Sequence, residues 1–86
     1  MITPATLLDS TIAQYTSGYR LNYLANPRDL DKIILKDAIF WTNFKLYEKK
    51  FISKEEYDRI RSMVHSEDEE NLVVAEAIIR NLDFKL

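Results

Sequence analysis

Apolar residues in the middle of the chain recur at helical spacing and fall on two sides of one helix. The stretch Pro27–Lys50, PRDLDKIILKDAIFWTNFKLYEKK, has no glycine and no internal proline. On a helical wheel, Leu30, Ile33, Ile34, Ala38, Phe40, Trp41, Phe44 and Tyr47 form one broad stripe. Leu35, Ile39 and Leu46 form a narrow second stripe on roughly the opposite side. A helix facing one core needs only the first stripe. The second implies another helix or a partner molecule.

The flanking segments read the same way. Pro4 opens a first helix, with Thr3 as its cap and proline at a position whose N–H has no helical partner. Leu8, Ile12, Tyr15, Tyr19 and Tyr23 recur every three or four residues as one seam. The tyrosine hydroxyls give that seam a wet edge, and a ligand platform is the alternative reading of Tyr15, Tyr19 and Tyr23. Gly18 costs this helix about 1 kcal/mol relative to alanine and marks a kink or a close helix crossing. The helix ends near Ala25, because the residue before Pro27 is steered away from helical geometry. Asn26 then caps the central helix, with Asp29 near its positive end. That helix stops near Lys49 or Lys50. A connection this short makes the two long helices an antiparallel pair or a sharp corner.

Two serine–glutamate spacings follow. Ser53-Lys54-Glu55-Glu56 is a capping box, and Ile52 with Tyr57 has the spacing of a hydrophobic staple. A third helix therefore begins at Lys54 and buries Tyr57, Ile60 and Val64, with Met63 at its margin. Ser66-Glu67-Asp68-Glu69 reads as a second capping box opening a fourth helix from about Glu67 to Asn81. Leu72, Ala75, Ile79 and Leu82 are its main seam. Val73, Val74, Ala77 and Ile78 leave it apolar around most of its circumference, so it is either well buried or shared with a partner. Phe84 and Leu86 either fold back on the core or fray. The expected fold is all-α, a single domain of four helices, two long and two short.

Composition narrows the classes. A length of 86 residues leaves room for one domain, and 47% hydrophobic with 30% charged residues is a globular balance. One glycine and two prolines leave little turn chemistry for hairpins. The absence of cysteine excludes a disulfide framework and zinc–cysteine sites, and it fits a reducing cytoplasm. The net charge of −2 gives no general attraction to nucleic acid or to an anionic membrane. The first ten residues lack the basic region and apolar run of a signal peptide, and no apolar run is long enough to insert in a membrane.

Catalytic and metal chemistry is thin. His65 is the only histidine, and neither a nucleophile nor an orienting partner is visible beside it; Ser66 is better explained as a cap. Glu67, Asp68, Glu69 and Glu70 are consecutive, so they point in different directions and do not converge on one ion. No enzyme activity, cofactor or metal is expected. A helix-turn-helix reading of the two short helices would drive those same four carboxylates against phosphate. Pairing the central and third helices instead puts Glu55 and Glu56 there. The feature with binding character is the narrow stripe itself. Leu35, Ile39 and Leu46, with Lys32, Lys36 and Lys50 along the edge, read as a solvated rim beside surface leucines, as a mixed apolar and basic docking strip, or as a strip that the fourth helix covers.

The running sequence of GYRLNYLANPRDLDKIILKDAIFWTN (18–43), FISKEEYDRIRSMV (51–64) and LVVAEAIIRN (72–81) resembles the rapid-lysis-inhibition accessory proteins of T-even-type phages, the third of the classical rapid-lysis group. The resemblance covers most of the chain but contains no short diagnostic motif. It implies a non-enzymatic protein of the infected cell's cytoplasm. Such proteins bind the cytoplasmic part of the phage holin and act with the antiholin to delay lysis. It assigns no binding residues. Two other classes stand beside this expectation. One is a small regulator acting on host transcription or nucleic-acid machinery. The other is a structural homodimer joined through Leu35, Ile39 and Leu46.

Overall fold

The computed structural model describes residues 2–22, 27–66 and 68–85, and the side chains of 2–18, 30–66 and 68–85. Among these, four helices account for the regular structure: α1 (Pro4–Asn22), α2 (Pro27–Glu48), α3 (Lys54–His65) and α4 (Glu69–Arg80). The all-α bundle expected from the pattern is the observed architecture. The predicted end of α1 near Ala25, the Asn26 cap, and the side chains of Tyr19, Tyr23, Asp29 and Leu86 lie outside the described residues.

Local chemistry sets the helix limits. Thr3 Oγ1 accepts from the Thr6 N–H at 3.2 Å and so caps α1. Ser53 Oγ accepts from the Glu56 N–H at 3.1 Å, the half of the capping box that fixes the start of α3. Ile52, just before that cap, is buried, as a staple residue should be. The second predicted box is displaced. Ser66 closes α3, its N–H bonded to the Ser62 carbonyl, and Asp68 caps α4 by accepting from the Glu70 N–H at 3.0 Å. Asp68 competes well for this position because its carboxylate accepts more strongly than a hydroxyl and suits the positive helix end. Ser66 Oγ instead accepts from Asp68 N–H at 3.2 Å and from Asn71 Nδ2 at 2.9 Å, tying the turn to the new helix.

The end of α2 is a Schellman turn. The Phe51 N–H bonds the Leu46 carbonyl and the Lys50 N–H bonds the Tyr47 carbonyl, both at 2.9 Å. Lys50 holds the left-handed position at φ 64°, where glycine is the usual occupant. Phe51 then stacks on Phe84 at 5.2 Å between ring centroids. The tail therefore folds back over this turn.

Three pairings give the helix directions. Ile2 and Leu7 of the chain's start meet Trp41, Lys45 and Leu46 near the end of α2, so α1 and α2 are antiparallel. Tyr57 stacks on Tyr47 at 4.5 Å and His65 lies edge-on to Phe40 at 5.5 Å, so α3 returns along α2. Lys32 reaches Glu69 at 3.4 Å, and Arg80 reaches Asp9 at 2.8 Å, so α4 runs in the direction of α2 and closes against α1. Arg80 also bonds Glu76 at 3.2 Å. The hydrogen bond to Asp9, followed by the Glu76 contacts, raises the Arg80 pKa despite opposing desolvation. The guanidinium's own contribution is thus fully present below its ordinary pKa and fades only as pH rises through the folded value.

One cluster forms the centre: Leu8, Ala38, Ile39, Ile60, Val64, Leu72, Ala75 and Ile79, with Ile12, Tyr15, Leu35, Met63 and Ile78 packed against it. The seams predicted for α3 and α4 are the buried ones, with Tyr57 and Leu82 half-buried. Tyr15, the described tyrosine of the first seam, is half-buried against this core. Gly18 marks no close crossing, since a Cβ built there would meet nothing within 4 Å.

Candidate protein-binding face

The narrow stripe of α2, the expected docking strip, faces the interior, and the broad stripe is divided between core and surface. Ile39 and Leu46 have no exposed surface, and Leu35 is half-buried against the central cluster. Ile39 and Leu46 do not project toward a partner while the domain is folded, and Leu35 keeps only part of its surface. The alternative reading of that strip, burial inside the domain, is the one observed. Ile39 shares its cluster with Leu72, Ala75 and Ile79 of α4. Alanines 38 and 75 in the same cluster have small side chains that permit close helix approach.

Lys32 and Lys36 separate from those apolar residues. They line a cleft of about 250 Å³ with Val64, Ser66, Asp68 and Leu72, where α2, α3 and the start of α4 meet. Lys32 is ion-paired to Glu69 there, and Ser66 and Asp68 are engaged in capping. Lys32, Ser66 and Asp68 of this cleft are thus engaged in holding the fold.

The broad stripe supplies the exposed apolar surface. Ile33, Phe40 and Phe44 are 42%, 39% and 44% exposed. Trp41 and Tyr47 are half-buried beside them. These residues lie on one side of α2, opposite the arc formed by Ala38, Ile39, Thr42, Asn43 and Leu46. Partly exposed aromatics at helical spacing are the residue class that anchors protein interfaces. Ile34 and Ala38 of the same broad stripe are buried, so the stripe is split between core and surface. A second apolar face is on α4, where Val73 and Val74 are exposed while Ile78 packs inward.

Two buried polar residues complete the inner arc. Thr42 and Asn43 sit at 0% and 1% exposure on the inner arc of α2. Asn43 Nδ2 donates to the Tyr57 carbonyl at 3.1 Å and joins α2 to α3. Asn43 Oδ1 and Thr42 Oγ1 have no hydrogen-bond partner among the described residues. In the sequence these two residues interrupt the inner stripe and make it look narrow. The better signal was charge: the middle of the inner arc carries none, whereas Asp37 and Glu48 flank the Phe40–Phe44 side.

A smaller cleft of about 150 Å³ lies on the flank of the same helix, between Ile2, Leu7, Trp41, Lys45, Leu46 and Lys49. Lys45 Nζ stands 5.6 Å from the Trp41 ring centroid, within cation–π range. No group of three or more His, Cys, Asp or Glu among the described residues is placed to hold a metal ion. No helix among the described residues is long and apolar enough to cross a membrane. Comparisons with protein-family models, with curated proteins and with solved structures gave no match.

Proposed function

We propose that this chain is a non-enzymatic protein-binding module of the host cytoplasm that delays phage lysis, acting with the holin/antiholin system by holding a cytoplasmic segment of the holin. The observation that supports a binding role is the exposed Ile33–Phe40–Phe44 stripe on a helix whose opposite side already fills the core. The resemblance of the running sequence to lysis-inhibition accessory proteins supplies the choice of partner. Mechanistically, an amphipathic segment would lay its apolar row against Phe40 and Phe44, withdrawing it from the assembly that opens the membrane. Occupying the segment opposes assembly by mass action and requires no bond chemistry in the module.

The test is binding of the full chain to the immobilised cytoplasmic segment of the holin. Wild type should bind at tens of micromolar or tighter. The Phe40→Ser/Phe44→Ser variant should lose about 30-fold, the size of one central aromatic hot spot. Circular dichroism should show it still folded, because neither ring belongs to the central cluster. No binding by folded wild type at tens of micromolar would remove the holin reading. Concentration-dependent mass in light scattering, lost in the same variant, would turn the stripe into a homodimer surface instead.

A further inference from the structure

We propose that the cleft between the start of α1 and the end of α2 is an anchor pocket for one branched or aromatic side chain of an acidic amphipathic segment. The proposal rests on the protein-binding reading above and names the chemistry of the partner at a place next to the stripe. Its walls are Ile2, Leu7, Trp41 and the methylene stems of Lys45 and Lys49, with fully buried Leu46 at its floor. The volume of about 150 Å³ matches apolar cavities that hold a benzene ring, so one Leu-, Ile- or Phe-sized group fits. Ile2 at the lip is 49% exposed and loses that exposure when the cleft fills.

Charge selects the segment. Among the described residues the lining contains two lysines and no acid, and exposed Lys50 follows directly. Glu48 is the nearby counter-charge on α2, and its contact with Lys45 is at 4.0 Å, the outer limit of an ion pair. Carboxylates flanking an anchor therefore meet ammonium groups, whereas lysines flanking it meet like charge. The pocket is also continuous with the exposed stripe, because Trp41 lies three residues before Phe44 and four before Lys45. A segment can place one side chain in the cleft and the next helical turn on Phe44. A small molecule filling the cleft alone would forgo that second contact.

Trp41 is the only tryptophan, so its emission reports on the cleft. The probes are two synthetic helical peptides free of Trp and Tyr, with the same leucine and phenylalanine row, one flanked by glutamates and one by lysines. Titrated into the full chain, the acidic peptide should shift Trp41 emission to shorter wavelength and bind about tenfold tighter than the basic one. The Lys45→Glu/Lys49→Glu variant, checked for folding by circular dichroism, should invert that order. The proposal is overturned by silence of Trp41 toward both peptides at millimolar concentration, by equal affinities, or by an order unchanged in the variant. It is also overturned if the protein alone shows a concentration-dependent Trp41 shift that Glu69→Lys/Glu70→Lys abolishes, because a second copy then fills the cleft. Capture of the holin segment with Trp41 undisturbed would remove the pocket and keep the binding module. The expected peptide result without holin capture would do the reverse.

Discussion

The two sides of α2 carry similar amounts of apolar side chain and have opposite fates. On the inner side, Ala38, Ile39, Thr42, Asn43 and Leu46 are buried against α1, α3 and α4. On the outer side, Ile33, Phe40 and Phe44 keep a large fraction of their surface in water. The outer side holds the larger rings, so hydrophobicity alone would bury it. What distinguishes the inner side is small size at Ala38 and Thr42 and the absence of mid-helix charge. A helix surrounded by three neighbours needs residues that allow approach and carry no charge requiring solvation. An uncharged amide or hydroxyl can be accommodated there at a modest penalty, whereas Asp37 or Glu48 cannot.

The largest effect should come from exchanging the fates of the two sides. A carboxylate at Ile39 would stand unpaired in the central cluster, so the Leu35→Glu/Ile39→Glu variant should be unfolded by circular dichroism at room temperature. A milder pair gives a number. Ile39→Ala should cost about 2–5 kcal/mol in urea unfolding, by lost burial and the cavity left behind. Phe44→Ala should cost less than about 1 kcal/mol, since its ring does not belong to the central cluster. If Phe44→Ala proved the more destabilising, the assignment of inner and outer sides would be reversed.

A smaller effect tests how the inner side tolerates polarity. Thr42 Oγ1 is buried with no hydrogen-bond partner among the described residues, so the hydroxyl's lost hydration is not repaid by them. Thr42→Val keeps the shape and removes that penalty. It should raise stability by about 1 kcal/mol, read as a higher urea midpoint with an unchanged slope. A loss of similar size would mean that the hydroxyl is paired in solution, by bound water or by a carbonyl one turn back, and that the inner side is less dry than described.

The helices were legible because their limits are written in short-range chemistry. Thr3, Ser53, Pro4 and Pro27 act within a few residues of where they stand, and the seams of α3 and α4 follow one periodicity each. The miss at Ser66 was also local: two candidates two residues apart competed and the carboxylate of Asp68 took the cap. The site was not legible in the same way. Which stripe of α2 faces inward depends on the positions of α1, α3 and α4, and no window along α2 contains them. Periodicity revealed that two faces existed. It left open which of them is buried, and Thr42 and Asn43 made the inner face look narrower than it is. Lys32 and Lys36, grouped with that face by the wheel, belong to the rim where α4 begins. Lys45 and Lys49, which border the Trp41 cleft, belong to neither apolar stripe.

The smallest expected effect leaves both sides of α2 untouched and asks whether their common end is under strain. Lys50 adopts a left-handed conformation so that the Phe51 and Lys50 N–H groups can close on Leu46 and Tyr47. Any residue with a Cβ adopts that conformation at a cost, and glycine does not. Glycine also loses more freedom on folding, which offsets part of the gain. Lys50→Gly should therefore stabilise the domain by about 0.5–1 kcal/mol, raising the thermal midpoint by a few degrees. Because the inner arc and the outer stripe both keep their residues, holin-segment binding should stay the same within twofold. A stability gain with unchanged binding would make the turn a purely local device. A gain accompanied by weaker binding would show that the direction in which the chain leaves α2, past Lys49 and the Trp41 cleft, contributes to the outer face.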